Sequence, residues 1–212
     1  MPTRRSLPSA ANHRFSDTPS VGIPRSVFRR PSRYITAFNS GELIPFFTDE
    51  VLPGDTFRLD CQLFGLLSTL LHPYMDNVYL DTQFFFVPWR LVWDNWEKFC
   101  GAQTNPGDST SFTIPQQVAP AVTGFQPYSL YDYFGVPTAK PGISVSALYA
   151  RAYNLIYNDY YRDENLQNSL TVDLGNGPDT LTNYVIRRRG KRHDYFTSCL
   201  PWPQKGPSDG LS

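Results

Sequence analysis

Histidine, cysteine and carboxylate side chains could perform acid–base, nucleophilic or metal chemistry, and this sequence scatters them. Its three histidines, His13, His72 and His193, lie far apart. There is no GxSxG, HExxH or P-loop motif, and the GNGP turn at 175–178 lacks the Lys and the Ser or Thr that a phosphate cradle needs. The sequence therefore predicts a protein that is not an enzyme and that uses no cofactor.

The residues that most resemble a metal site are three acidic residues near the end of a helical pattern, Asp159, Asp163 and Glu164. Carboxylates grouped in this way could bind a divalent cation such as calcium. They could instead face solvent or form ion pairs with Arg162 and Arg151. Because the histidines and cysteines show no metal-ligand spacing, we favour the second interpretation and predict no metal site.

The three cysteines, Cys61, Cys100 and Cys199, form an odd and widely spaced set without a CxxC pair. Such a set argues against a disulfide framework and for synthesis in a reducing cytoplasm, so we expect buried free thiols. No apolar stretch approaches the roughly 18 to 20 residues that would span a bilayer. The N-terminal residues also lack the apolar core of a secretory signal, and we expect no membrane partner.

The formal net charge is zero, but the charged residues are segregated along the chain. Residues 1–33 carry seven arginines against Asp17 alone, residues 34–186 are acidic by ten charges, and residues 187–212 are basic by four. A basic arm on an acidic body suggests a polyanionic partner. The candidate nucleic-acid-binding residues are Arg4, Arg5, Arg14, Arg25, Arg29, Arg30, Arg33, Arg187, Arg188, Arg189, Lys191 and Arg192.

The two basic regions allow different interpretations. Residues 1–33, rich in Arg, Ser and Pro and without hydrophobic periodicity, are typical of a flexible, extended arm. Its arginines could neutralise phosphates of single-stranded DNA, form a solubilising tail, or lie across neighbouring subunits. The cluster at 187–192 is embedded among apolar residues, so pairing with acidic groups stays open beside DNA contact. The nearby Tyr195 and Phe196 could stack on unpaired bases, but core packing is the favoured interpretation.

The stretch FFFVPWRLVWDNWEKFCG at 84–101 combines two periodicities. Residues 78–87 alternate in the way that is typical of a strand buried on at least one face. After Pro88 the apolar spacing becomes helical, and Gly101 is suited to end a helix predicted at about 89–100. One face of the strand would carry Val78, Leu80, Thr82, Phe84 and Phe86, and the other Tyr79, Asp81, Gln83, Phe85 and Val87.

The earlier part of the body also favours strands and turns, as the 19 prolines of the chain suggest. A turn is predicted at Pro53 and Gly54. The alternation at 55–64 then predicts a half-buried strand with Cys61 on its inner face.

The later part of the body is predicted to contain a long loop, a helix and a turn. Residues 101–127 carry one charged residue among many small polar ones, which indicates a loop with a functional or interface role. Apolar residues at i, i+3, i+4 and i+7 predict a helix at about 144–164. Residues 174–180 indicate a turn, followed by a short strand or extended segment at 181–186.

Three long motifs resemble those of one protein family. They are FFFVPWRLVWDNWEKFCG at 84–101, ARAYNLIYNDYYRDENLQ at 150–167 and RRRGKRHDYFTSCLPWPQKG at 187–206. Together they resemble the major capsid protein of the microviruses, small single-stranded DNA bacteriophages, and especially of the gokushovirus branch. The resemblance implies that the chain corresponds to the N-terminal portion of a longer protein.

The resemblance implies a mainly β fold, the viral jelly roll, which is an eight-stranded antiparallel β-sandwich with long insertions and helices. Four or five strands are predicted here, too few to close such a sandwich, so the jelly roll would be incomplete in this chain. The implied organisation is a basic, flexible arm at residues 1–33 and a partial jelly-roll capsid domain at residues 34–212.

The function implied by the resemblance is structural. Copies of the protein would self-assemble into a small icosahedral shell that encloses a circular single-stranded DNA genome, in the virion and, during assembly, in the bacterial cytoplasm. The implied partners are other copies of the chain, packaged single-stranded DNA, and other virion or scaffolding proteins. The candidate subunit-interface residues are Trp89, Trp93, Trp96, Tyr153, Tyr157 and Tyr161, for which burial in the core is the other interpretation.

Two alternatives from other functional classes remain. A stand-alone single-stranded DNA-binding module would explain the basic residues but not the acidic body. A glycan-binding or hydrolytic jelly roll would explain the Trp and Tyr content, but the sequence offers it no convincing pair of catalytic carboxylates.

Overall fold

The computed structural model describes Gly22 and residues 24–196. The chain divides into two units, residues 1–35 and residues 36–212. The described residues of the first unit are exposed and contain no helix or strand. This unit includes the predicted basic arm, whose Arg4, Arg5 and Arg14 lie outside the described residues.

The regular structure of the second unit consists of short elements that follow residue 88. Its described residues are mostly non-helical and contain one small two-stranded sheet. In chain order the elements are a 3₁₀ turn Trp89–Leu91, α1 Trp96–Phe99, β1 Gln116–Val118, α2 Leu130–Tyr133, β2 Ser144–Ser146, α3 Leu148–Ile156, a π turn Tyr157–Tyr161 and a 3₁₀ turn Leu181–Asn183.

The helix predicted at 89–100 is divided into the first 3₁₀ turn and α1. The break has a hydrogen-bonding cause, because the backbone N–H of Asp94 donates to the carbonyl of Leu174, 3.2 Å away, and leaves the helical ladder. The predicted end of the helix is confirmed, since α1 stops at Phe99 and Gly101 adopts a φ of 97°. A left-handed glycine at this position is a common helix ending.

The helix predicted at 144–164 begins later and ends earlier. Residues 144–146 form β2, α3 starts at Leu148, and the π turn closes the segment at Tyr161. The strand forms because β2 pairs antiparallel with β1, where Gln117 lies opposite Val145. In this pairing the backbone groups of Ser144 to Ser146 have hydrogen-bond partners in β1. An extra turn at the start of α3 would remove these partners.

The core of the second unit lies on both sides of α3. One cluster contains Ala150 together with residues from α2, from the segment between β1 and α2, and from the end of the 3₁₀ turn Leu181–Asn183: Ala119, Phe125, Leu130, Tyr131 and Tyr184. The other joins Leu148 to Val92 and Trp93. The first turn of α3 therefore contributes to two packed clusters, and this fixes the position of α3 in the body.

The strands predicted at 55–64 and 78–87 are not formed. Both segments lack strand structure, and Phe57, Leu59 and Leu63 are about half exposed instead of facing inward. A strand needs a neighbour that accepts and donates backbone hydrogen bonds, and the described part of the chain supplies none to residues 56–64 and 78–87. The turn before the first segment is confirmed, because Asp55 donates to the carbonyl of Leu52 at 3.1 Å.

Two smaller predictions are also corrected. Cys61 and Cys100 are free but exposed, because the predicted strand and long helix that would have buried them are absent, while Cys199 lies outside the described residues. The segment 181–186 is predicted to be a short strand or an extended segment; its first half forms a 3₁₀ turn, Leu181–Asn183, and residues 184–186 contain no helix or strand.

Replacement of Gly124 by alanine is expected to destabilise the second unit. Gly124 has a φ of 66°, and an added Cβ would lie 2.5 to 2.7 Å from the backbone atoms of Lys140. Strain at a positive φ alone costs about 1–3 kcal/mol, and the clash adds to it. The free energy of unfolding of Gly124→Ala, measured with urea, should fall by at least this amount.

Gly107→Ala is the matched control, since Gly107 has neither a positive φ nor any atom within 4 Å of the added Cβ. Its free energy of unfolding should stay close to that of the parent chain. Equal stability of the two variants would contradict the close packing of Gly124 against Lys140.

Candidate functional site

A buried ion pair positions the elements that carry the candidate residues. The Nε of Arg151, on α3, donates to Oδ2 of Asp179 at 2.7 Å, and its Nη2 donates to Oδ1 at 2.5 Å. Both side chains are fully buried. The third donor of Arg151, Nη1, reaches the carbonyl of Val92 at 2.9 Å. The guanidinium thus connects α3, the turn before Leu181 and the chain that follows the first 3₁₀ turn.

Two buried tyrosines lie near this pair, and one of them hydrogen bonds to it. The hydroxyl of Tyr184 donates to Oδ2 of Asp179 at 2.9 Å, and that of Tyr131 donates to Oε1 of the buried Gln117 at 2.9 Å. Burial, and then the neighbouring carboxylate, raise the pKa of Tyr184. Burial would lower the pKa of Arg151, but the hydrogen bonds and charge of Asp179 outweigh it and raise that pKa. The arginine therefore stays charged inside the core.

The partner of Arg151 differs from the one that the sequence suggested. Arg151 pairs with Asp179 and not with the acidic residues near the helix end, of which Glu164 lies 4.0 Å from Arg162. Within the described residues, no group of three or more His, Cys, Asp or Glu could hold a metal ion. No helix of the described residues is long and apolar enough to cross a membrane.

The predicted basic cluster, residues 187–192, is held by its backbone against residues 41–43. The N–H of Leu43 donates to the carbonyl of Arg187 at 2.9 Å, and the N–H of Arg189 donates to the carbonyl of Gly41 at 2.7 Å. The Tyr153 hydroxyl accepts the N–H of Arg187 and donates to the carbonyl of Leu43, each at 2.8 Å. Burial raises the pKa of Tyr153 to about 12, so this linking hydroxyl stays protonated.

Among the described residues, four of the five basic side chains of the cluster, all except that of Arg187, meet carboxylates of the same chain. Arg189 and Arg192 both bind Asp81, Arg188 lies 4.0 Å from Glu42, and Lys191 pairs with Asp194. Hydrogen bonds from Arg192, and then from Arg189, lower the pKa of Asp81. A hydrogen bond from Asn39 is the main cause that lowers the pKa of Glu42. The acidic groups that the cluster needs are therefore supplied by residues 42 and 81 of the body and by Asp194.

The segment that contains Asp81 contacts its neighbours through alternate residues. Tyr79 lies against Arg192, and Gln83 hydrogen bonds with the hydroxyls of Tyr160 and Tyr161 in the π turn. Phe85 packs edge-on against the same two tyrosine rings. Residues 79, 81, 83 and 85 are the ones that the alternation placed on one face. Their shared direction is present although no strand is formed.

The six candidate interface aromatics make contacts within the chain. Trp93 is fully buried, with its Nε1 donating to Oδ1 of Asn176 at 2.9 Å, and Tyr157 is buried as well. The side chains of these two residues therefore pack in the core of their own chain. The partly exposed members of the set are Trp89, Trp96, Tyr153 and Tyr161.

The basic residues of the arm have a different setting. Arg25, Arg29, Arg30 and Arg33 are exposed, and residues 24–33 contain no Asp or Glu. Carboxylates that neutralise these arginines must therefore come from elsewhere in the chain or from a partner.

Sequence reasoning missed the residues that hold these surfaces in place. Arg151 and Asn154 lie in the buried face of α3, where the periodicity suggested only apolar side chains. Asn154 donates to the carbonyls of Thr171 and Asn183. The available signal was the regular spacing by three of Leu148, Arg151 and Asn154. Nothing local indicated Asp179, whose hydrogen bonds to Arg151 span 28 positions.

Comparison with known proteins identifies the class of protein to which this chain belongs, which is a structural one. A family model described as "Capsid protein (F protein)" matches residues 16–212. The chain belongs to this phage capsid protein family. The resemblance to microvirus capsid proteins is thereby confirmed.

Three relatives carry the name "Capsid protein VP1". The chain is 52% identical to that of Bdellovibrio phage phiMH2K over 92% of its length, and 47% identical to that of Chlamydia phage 1 over 98%. It is 39% identical to that of Spiroplasma virus 4 over its whole length. The matched region makes up 36%, 38% and 40% of these relatives, respectively, so the chain spans well under half of their length.

Removal of the buried cation is expected to destabilise the body strongly. Arg151→Met leaves the Asp179 carboxylate buried without its charged partner, which costs about 3–5 kcal/mol. The urea midpoint, followed by Trp fluorescence, should fall accordingly. The double variant Arg151→Met/Asp179→Leu should recover part of this stability, since it leaves no unpaired charge.

The control is Arg58→Met, which breaks a 3.7 Å pair with Asp60 whose side chains are 90% and 84% exposed. An exposed pair contributes about 0–1 kcal/mol. Similar midpoints for the two single variants would be incompatible with Arg151 acting as a buried link.

Proposed function

We propose that the chain is part of a major capsid protein whose copies self-assemble into a small icosahedral shell around a circular single-stranded DNA genome. The supporting observation is the apolar segment, residues 51–86, which the described body leaves uncovered. Eighteen large apolar side chains in it are at least 41% exposed, and Phe64, Leu71 and Met75 are more than 90% exposed. An exposed apolar surface of this extent is typical of a protein-interaction site.

The backbone of the apolar segment supports the same proposal. Residues 56–87 make no backbone-to-backbone hydrogen bond with other described residues. Unpaired N–H and C=O groups in an extended segment are available to pair with a strand from other polypeptide. The proposed fold is therefore a viral jelly roll in which such strands complete the sandwich begun by residues 34–212. The shell would consist of identical contacts repeated by closed symmetry.

The basic arm is the proposed contact with packaged DNA. Arginines that neutralise phosphates bind without reading sequence, which suits a genome packed in many local conformations. Residues 1–33 would form this arm, and residues 34–212 would belong to the capsid domain. A stand-alone DNA-binding module explains the arginines equally well, but it gives no reason for the apolar segment.

The remaining parts of the proposal concern role and location. The protein would act without catalysis or cofactor, as a structural component of the virion. Before assembly it would be present in the cytoplasm of the bacterial host, where scaffolding or other virion proteins would be its additional partners. The names of the relatives support the structural role.

Removal of apolar side chains from the apolar segment is expected to weaken self-association. The triple variant Phe64→Ser/Leu66→Ser/Leu71→Ser removes three side chains that are at least 87% exposed. Burial of a Leu or Phe contributes about 1.5–3 kcal/mol, so each side chain removed from the interface should lower the affinity between subunits at least tenfold. Size-exclusion chromatography with light scattering should show smaller species, and electron microscopy should show fewer shells or oligomers.

The matched control is Val122→Ser/Leu166→Ser/Val185→Ser, which removes exposed apolar side chains outside the apolar segment. Its size distribution should resemble that of the parent chain. If both triple variants assemble alike, or if the parent chain is a monomer at every concentration, the proposed association through this segment is excluded.

Neutralisation of the arm is expected to reduce the salt dependence of binding to single-stranded DNA. The quadruple change of Arg25, Arg29, Arg30 and Arg33 to Gln removes four candidate phosphate-binding cations. The slope of log K against log salt should become shallower by about 0.7 for each phosphate that is no longer neutralised. Fluorescence anisotropy with a labelled oligothymidylate over a salt series measures this slope.

The control removes the same number of positive charges from the body, by changing Arg58, Arg90, Lys98 and Lys140 to Gln. A smaller change of slope in this variant supports local binding by the arm. Identical slopes in the two variants would mean that only net charge matters, and would refute the proposed role of the arm.

A further inference from the structure

Asp81 occupies a position between two arginines that resembles the position of a bound phosphate. Nη2 of Arg192 donates to both carboxylate oxygens of Asp81, at 2.7 and 3.0 Å, and Arg189 binds Oδ2 through Nη1. Carboxylate and phosphate oxygens are recognised by guanidinium groups with the same geometry. A phosphate could therefore take the place of this carboxylate without rearrangement of the arginines.

An aromatic ring lies directly against one of the two arginines, Arg192. The guanidinium carbon of Arg192 lies 4.0 Å from the ring centroid of Tyr79. Tyr79 nevertheless keeps 60% of its surface exposed. An exposed aromatic ring next to phosphate-binding arginines is the combination with which proteins hold unpaired nucleotides, because bases stack on the ring whatever their sequence.

The backbone on both sides of this pair is held without Asp81. Residues 187 and 189 are fixed by backbone hydrogen bonds to residues 43 and 41. The segment around Asp81 is fixed by Gln83, which hydrogen bonds with the tyrosines of the π turn. The carboxylate can therefore exchange its arginine partners for water while the backbone at residue 189 and the segment around Asp81 stay in place.

We propose that Arg189 and Arg192, with Tyr79 beside them, form a binding site for a phosphate and an adjacent base of single-stranded DNA, and that Asp81 occupies this site as an internal competitor. The inference rests on the proposed contact between the capsid protein and its genome, and it adds a second DNA-binding site that is separate from the arm. In the free chain the carboxylate neutralises the two arginines. In the DNA complex a phosphate displaces it.

Removal of the carboxylate charge tests the proposal directly. Asp81→Asn should raise the affinity for an oligothymidylate between about twofold and about thirtyfold at low salt, because two exposed ion pairs no longer compete with the phosphate. The salt slope should also become steeper, by up to about 1.4, as two further cations release counterions. Both quantities follow from anisotropy titrations.

The matched control is Asp76→Asn, which changes the net charge equally in the same exposed segment and whose carboxylate accepts the N–H of Asn77. The gain in affinity should be smaller for this variant, and its salt slope should be unchanged. Equal gains for the two variants would show a general charge effect and overturn the proposal. So would an Asp81→Asn variant that binds no better than the parent chain.

Two further variants separate a binding site from a merely structural interaction. Arg189→Gln/Arg192→Gln in the Asp81→Asn background should abolish the gain, whereas a gain that persists would place the DNA elsewhere and overturn the proposal. Tyr79→Leu in the same background should lower affinity without changing the salt slope, since stacking carries no charge. A Tyr79→Leu variant that binds as tightly as its background would overturn the role given to the ring.

The outcome for the arm distinguishes this inference from the proposed function. If the parent chain binds DNA through the arm and Asp81→Asn changes nothing, only the second site is overturned. If no variant binds single-stranded DNA at low salt, both the second site and the proposed genome contact are overturned. Urea midpoints of all variants, measured in parallel, identify any change that arises from unfolding.

Discussion

The buried ion pair between Arg151 and Asp179 is the constraint on which the ordered part of the chain depends. A charge removed from water is tolerated only when its hydrogen bonds and its countercharge are complete, and here Nε, Nη1 and Nη2 of the guanidinium all donate to protein oxygens. These hydrogen bonds can form only if α3, the segment before Leu181 and the carbonyl of Val92 meet at one point. The two apolar clusters on either side of α3 pack around this meeting point.

The apolar segment, residues 51–86, is held by other contacts than this ion pair. Residues 79 to 85 contact the basic cluster and the π turn through Tyr79, Asp81, Gln83 and Phe85, and Phe84 packs edge-on against Phe46. Apolar side chains on both sets of alternate residues nevertheless stay more than half exposed, among them Tyr79, Leu80 and Phe86. A segment that is attached through a few side chains and still largely exposed, with an unpaired backbone, is suited to further pairing. Its energetics thus favour association, whereas those of the α3 region favour a fixed local structure.

Prediction from the sequence succeeded where the local pattern determines the structure. It failed where contacts with residues distant in the sequence determine it. Gly101 ends α1 as predicted because a left-handed glycine acts within one turn. The strands predicted at 55–64 and 78–87 needed partners that pattern alone cannot guarantee, although the alternation around Asp81 gave the right shared face. Asp179 was missed because its importance arises only when the fold brings it to Arg151. The family was recognised from three motifs, and the matching family model bears that out.

The two basic regions illustrate why charge alone does not define a nucleic-acid site. In the cluster at 187–192 the body and the cluster's own flank supply Glu42, Asp81 and Asp194, so much of its positive potential is cancelled before any partner arrives. Residues 24–33 carry four arginines and no acidic residue of their own. Equal numbers of arginines in the two regions therefore do not imply equal local net charge, because the first region includes the paired carboxylates of Glu42, Asp81 and Asp194. The potential of a basic region is therefore set by the carboxylates packed against it as much as by its number of arginines.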